Sequence, residues 1–293
     1  MYYLVYGLLY FFSLLPFWFL YVISDAIYFF LYYIFGYRKE VVMQNLLIAF
    51  PEKTFNERKK IVKDFYRNFI DNFIETLKLL SVSREELNKR FTGNYEVVNK
   101  LYDTGKKVQV HLAHFFNWEY ANAVCAMNFK YPLITIYMPI KNKIFDKLFL
   151  KMRERFGAIL IPATEYGKKF QAYAKTQYCL ALVADQNAGA LNKAYWADFF
   201  GKKIPFVKGP EKGAKLNNTA VVMCSLKKIK RGYYNCEFSL LTTEPRSLPE
   251  GEITKKMIAF IEDSIRKNPS NYLWSHRRWR WQFDEKKYGH LVI

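Results

Sequence analysis

His114 and Glu119 stand at a spacing that suits acid–base chemistry, inside the stretch VQVHLAHFFNWEYANA from Val108 to Ala123. An imidazole accepts a proton near neutral pH, and a carboxylate beside it fixes the tautomer and holds the charge that forms. Five residues is too wide for neighbours on one continuous helix face, where three or four is the rule. The run Val108-Gln109-Val110-His111-Leu112 has strand composition, whereas Asn117 to Ala123 is helix-forming. A buried strand therefore delivers His114 to the start of a helix that begins near Phe116 or Asn117. The spacing then predicts that Glu119, in the first helical turn, reaches back to the imidazole. His114 would act as general base and Glu119 as its orienter, the base-and-orienter part of a triad whose nucleophilic hydroxyl comes from the substrate.

Further elements must bring other polar groups to the same place. Tyr178 to Ala184 is a second strongly apolar strand, and it ends at Asp185-Gln186-Asn187. Polar residues at the carboxyl ends of strands in an α/β sheet line the ligand crevice, so Asp185 and His114 are expected on one rim. The alternative for Asp185 is a turn or cap residue. Asn142 to Phe156 reads as a basic amphipathic helix, with Lys143, Lys147, Lys151 and Arg155 opposite Ile144, Leu148 and Met152. Trp196 to Pro210 reads as a loop that covers an acyl chain or a phosphate. Lys208 and Gly209, at the start of the next helix, suit an anion, although no P-loop pattern is present. In Pro269 to Trp281, PSNYLWSHRRWRW, the side chains of Arg277, Arg278 and Arg280 can hold phosphates or pack on tryptophans.

The segment His114-Phe115-Phe116-Asn117-Trp118-Glu119 is joined in order by Asp185-Gln186, Phe199-Phe200-Gly201, Gly209-Pro210 and Tyr272-Leu273-Trp274-Ser275-His276-Arg277-Arg278. Together they resemble the bacterial lipid A biosynthesis (lauroyl/myristoyl) acyltransferase family, within the lysophospholipid acyltransferase superfamily, from about Tyr37 to Trp281. The resemblance implies a glycerolipid acyltransferase-like fold and an O-acyltransferase that uses no metal or bound cofactor. The donor would be a fatty acyl thioester of acyl carrier protein, and the acceptor a lipid A precursor. By the same resemblance Arg153 contacts substrate and Asp185 supports its positioning. His114 and Glu119 are thus the catalytic candidates, and Arg153, Asp185, Gln186, Lys208, Gly209 and Arg277 the substrate-binding ones. Relatives tend to read Tyr-Arg-Pro where this chain has Tyr137-Met138-Pro139, so one positive contact is absent or supplied by Lys141 or Lys143.

Composition agrees with an anionic lipid partner. The 293 residues are 51% hydrophobic and 19% aromatic, and the formal net charge is +19. Such basicity attracts acidic partners: an acyl carrier protein, an anionic glycolipid or membrane headgroups. Residues 1–36 hold a single charged side chain, Asp25, and read as a membrane helix or helical hairpin that precedes a catalytic domain at 37–293. Arg38 and Lys39 follow directly, which places that domain in the cytoplasm, at the inner membrane, if the leader crosses once. An apolar leader argues against a nucleic-acid partner, and the absence of G-x-S-x-G argues against a serine hydrolase. Cys125, Cys179, Cys224 and Cys236 have no metal-ligand spacing. The expected fold is α/β, a mixed central sheet flanked by helices. Finer expectations are Asn56 as a helix N-cap, a strand from Phe91 to Val98, and Glu75 as a structural or solvated carboxylate. A lysophospholipid or aminolipid acyltransferase, or a non-enzymatic anionic-lipid or nucleic-acid binder, would share much of this pattern.

Overall fold

A computed structural model describes Met1–Ile293. Nine strands form: β1 Phe91–Gly93, β2 Val108–Leu112, β3 Leu133–Tyr137, β4 Ile159–Pro162, β5 Cys179–Val183, β6 Ala194–Phe199, β7 Lys202–Val207, β8 Ala220–Lys230 and β9 Tyr233–Thr242. Seven of them make one sheet in the order β1-β9-β8-β2-β5-β3-β4, in which the β8–β9 pair is antiparallel and every other pairing is parallel. Every residue of β2 is buried, as expected for a central strand with both faces covered. The expected mixed α/β sheet flanked by helices is what the chain forms.

The helices are α1 Tyr2–Leu14, α2 Phe17–Phe29, α3 Lys39–Ala49, α4 Phe55–Lys78, α5 Arg84–Arg90, α6 Glu96–Tyr102, α7 Trp118–Asn128, α8 Lys143–Glu154, α9 Tyr166–Lys169, α10 Gly209–Asn217, α11 Glu252–Lys267 and α12 Glu285–Tyr288. Pro16 separates α1 from α2, as a residue without an N–H and with a fixed φ should. A π-helical turn, Phe30–Phe35, extends α2, and Phe17–Phe35 is the one helix long and apolar enough to cross a membrane. Its inward residues Leu20, Ser24, Tyr28 and Tyr32 recur every four positions, while Trp18, Val22, Phe30 and Ile34 face outward.

The leader is fastened to the rest of the chain by polar contacts. Lys78 Nζ donates to the carbonyls of Ser13 (2.6 Å) and Leu15 (2.7 Å), and Ser24 Oγ donates to Asp71 (2.7 Å). Arg231, at the tip of the β8–β9 hairpin, bridges Asp25 and Asp71, each at 2.7 Å.

Three local expectations are corrected. The N-cap of α4 is Thr54 rather than Asn56, because Thr54 and Glu57 satisfy each other's orphan N–H groups in a capping box. The strand expected from Phe91 to Val98 stops at Gly93, where its pairing with β9 ends opposite Cys236, and gives way to α6. The loop expected from Trp196 to Pro210 is a β-hairpin of β6 and β7, turned by Phe200 and Gly201 at positive φ.

Candidate active site

The parallel register of β2 and β5 sets Leu112 opposite Val183. Two residues further along each strand bring His114 opposite Asp185, and the two side chains meet: His114 Nδ1 lies 2.6 Å from Asp185 Oδ1. Burial pushes the Asp185 carboxyl up, but the facing imidazole charge, its hydrogen bond and the Tyr272 hydroxyl outweigh this and hold it below the usual carboxylate range. The other ring nitrogen, Nε2, lies 3.2 Å from the Gln186 amide nitrogen. Nδ1–H therefore donates to the carboxylate, and Nε2 keeps a lone pair that faces the cavity wall.

Glu119 does not contact the imidazole. This corrects the expectation drawn from the spacing. Asn117 caps α7 by accepting from Tyr120 N at 3.1 Å, which starts the helix where expected, yet the first turn aims Glu119 at α8. Its carboxylate accepts a fork from Arg153, Nε at 2.8 Å and Nη2 at 2.6 Å, and a third bond from Trp118 Nε1 at 3.1 Å. The indole of Trp118 in turn stands edge-on to the His114 ring, with centroids 5.7 Å apart. Glu119 thus reaches His114 only through Trp118.

His114, Trp118, Glu119, Arg153 and Gln186 share the wall of a cavity of about 860 Å³, in which 21 of the 31 lining residues are hydrophobic. Met138 and Val183 are exposed at one part of the lining, while Cys125, Phe129, Cys224 and Phe238 are buried at another. Such a space suits a long apolar chain and offers it a few fixed polar groups. Gly209, at the start of α10, also lines it. Lys208 and Arg277 do not: the Lys208 ammonium rests 4.3 Å from the Tyr195 ring centre, and Arg277 is exposed on the segment after Tyr272.

In that segment Arg278, expected to hold a phosphate or pack on a tryptophan, is instead turned into the fold. Leu273 N donates to the His114 carbonyl at 3.1 Å, and Phe115 pairs with Tyr272, so the chain runs directly behind the histidine. Arg278 is buried, donates to Asn187 Oδ1 (2.7 Å) and the Pro205 carbonyl (3.1 Å), and lies over the Phe206 ring. Burial draws its guanidinium down to about 10, still charged at neutral pH. His276 is pushed down to about 4 by burial and then by the Arg278 charge, and is neutral. Tyr272 was visible only as part of a motif; its influence on Asp185 needs the strand register to be seen.

A histidine–carboxylate pair thus stands at the carboxyl ends of two parallel strands of an α/β fold, beside a largely apolar cavity. The chain matches the bacterial lipid A biosynthesis acyltransferase family over residues 1–281, and it belongs to that family. It is similar to the lipid A biosynthesis palmitoleoyltransferase of Escherichia coli K12, at 21% identity over 246 residues that span 83% of this chain and 79% of that protein. A lipid A biosynthesis acyltransferase of Haemophilus influenzae is 23% identical over 236 residues, 78% of this chain and 72% of its own.

Proposed function

We propose that this acyltransferase moves a fatty acyl chain from an acyl carrier protein thioester to a hydroxyl of a lipid A precursor, with His114 as general base and Asp185 as its orienting carboxylate. The observation that carries the reading is the 2.6 Å contact between Nδ1 and Asp185, which leaves Nε2 to receive a proton on the cavity side. The acceptor hydroxyl displaces the Gln186 amide from Nε2 and gives up its proton there. Its oxygen bonds to the thioester carbonyl carbon, and the carbonyl oxygen becomes a tetrahedral oxyanion. When the oxyanion collapses, the carbon–sulfur bond breaks and the imidazolium returns its proton to the departing thiolate. Asp185 stabilises the imidazolium between the two transfers. Arg153, held by Glu119 in the cavity wall, adds a positive charge toward anionic substrate groups.

The outward apolar residues of α1 and α2, together with the formal charge of +19, support a place at the cytoplasmic face of the bacterial inner membrane. The test is mass spectrometry of lipids from cells in which only the His114→Ala form is present. Loss of one acyl mass from lipid A is the expected result. An unchanged lipid A with altered phospholipids would transfer the reading to a phospholipid acceptor, and unaltered lipids of both kinds would remove His114 from the chemistry.

A further inference from the structure

Glu75 is an ionisable residue that the chemistry above does not use. It lies on α4, fully buried, and its two oxygens accept three hydrogen bonds from three separate parts of the chain. Tyr21, on the leader helix α2, donates to Oε1 at 2.9 Å. Tyr234, on β9, donates to Oε2 at 2.7 Å, and Asn117 Nδ2 donates to the same oxygen at 3.0 Å. Burial raises this carboxyl above its ordinary range, opposed in part by Lys228 and by the bonds from Tyr234 and Asn117.

Asn117 is the significant partner. The same side chain that gives its amide N–H to Glu75 uses its oxygen to cap α7 through Tyr120 N. An amide bonded at both ends cannot rotate, so Glu75 fixes the point at which the loop from His114 becomes a helix. Trp118, the next residue, is the one that stands against the imidazole.

We propose that Glu75 is a positioning residue for acyl transfer: it ties the leader helix, through Tyr21, to the Asn117 cap and so holds Trp118 and His114 in register with Asp185. The inference rests on the assignment of His114 as the base. It makes α2 a component of the active site as well as a contact with lipid.

The pair can be tested by exchanging its polarity. In Glu75→Gln/Asn117→Asp the new amide nitrogen donates one hydrogen to the carboxylate at 117 and the other to the Tyr234 oxygen. Tyr21 still donates to the amide oxygen, and Tyr120 N is still capped. Asn117→Asp alone breaks this pattern by facing carboxylate to carboxylate, whereas Glu75→Gln alone keeps it by turning its amide, the oxygen accepting from Asn117 and Tyr234 and the nitrogen donating to the Tyr21 oxygen. Turnover and donor KM are measured on the full chain in detergent, together with the thermal midpoint. Asn117→Asp is expected to lower kcat about tenfold or more with little change in KM, Glu75→Gln to stay within about threefold of the parent, and the double change to recover to that same range. Tyr21→Phe, which removes the donor to Glu75 Oε1 and leaves both bonds to Oε2 in place, is expected to lower kcat about threefold with a modest fall in the midpoint.

A double variant no better than Asn117→Asp overturns the proposal, as does parent-like turnover in Asn117→Asp or a loss that follows the thermal midpoint alone. Parent-like turnover in Tyr21→Phe removes the leader from the coupling and overturns it as stated. His114→Ala measured alongside separates the two ideas. If that variant still transfers acyl chains the base is misassigned, whatever the 75–117 pair does.

Discussion

The Glu119–Arg153 fork is nearly dehydrated, with side chains 5% and 18% exposed, and its energetics differ from those of the His114–Asp185 pair. Removing one partner of such a fork strands the other charge in a poorly solvated place, at a cost of about 3 kcal/mol. Asp185 is also buried, but under the proposed assignment its partner changes charge during the reaction, so its loss should be felt in the transition state. Two variants should therefore separate. Asp185→Asn is expected to lower kcat on the order of 10³-fold, because an amide no longer selects the Nδ1–H tautomer or stabilises the imidazolium. Glu119→Gln is expected to lower kcat roughly tenfold and to lower thermal stability, with much of that stability restored by adding Arg153→Met. The reverse order of kcat losses would return the orienting role to Glu119. The sequence made both carboxylates visible and placed Asp185 on the right rim. It could not distribute their partners, since the β2–β5 register and the approach of α8 to α7 are long-range facts with no mark in local spacing.

At the scale of elements, β2 shows what lies beyond pattern reading. Its composition identified it as a buried strand, yet the same strand carries His111 inside the sheet's packing, with Nε2 against the Gln109 amide and no partner for Nδ1. Burial pushes this imidazole down to about 4. Between the ordinary histidine value near 6.5 and about 4, the unfolded chain binds a proton that the folded chain does not. Stability should fall as pH drops through that window, by at most about 1.4 kcal/mol per pH unit for this group, and level off below it. Denaturant midpoints at a series of pH values, for the parent and for His111→Gln, check this; the variant should show the shallower slope. The strands at the sheet centre were legible because apolar β-branched runs have few alternatives. The β6–β7 hairpin was not, because Phe200-Gly201 between two short runs reads equally as part of a loop until Trp196 is seen to pack beneath Phe283 and Tyr288.

The whole molecule sorts its surface by partner. Apolar side chains of α1 and α2 face outward, and their polar groups turn inward to Lys78, Asp71 and Glu75. Lys147 and Lys151 of α8 sit over the rings of Tyr2 and Tyr6 at 4.4 and 4.0 Å, so the first helix is held against the element that carries Arg153. With a formal charge of +19, affinity for vesicles that contain anionic lipid should fall as salt rises from about 0.05 to 0.5 M, while the apolar component persists. Co-sedimentation with anionic and zwitterionic vesicles measures both parts. Binding that is independent of salt would assign the attachment to the leader alone.

Cys125 and Cys224 are buried residues of the cavity lining; the neighbouring Cys236 and then burial raise the Cys125 thiol, and burial raises that of Cys224. A small lipophilic alkylating agent that enters the cavity meets both sulfurs in its lining, and reacts slowly because the thiolate is the nucleophile and both thiols are held protonated. Their modification rate is therefore a gauge of occupancy: a bound fatty chain should protect both sulfurs in proportion to its length, and peptide mass mapping after a timed pulse would read the depth to which each chain penetrates.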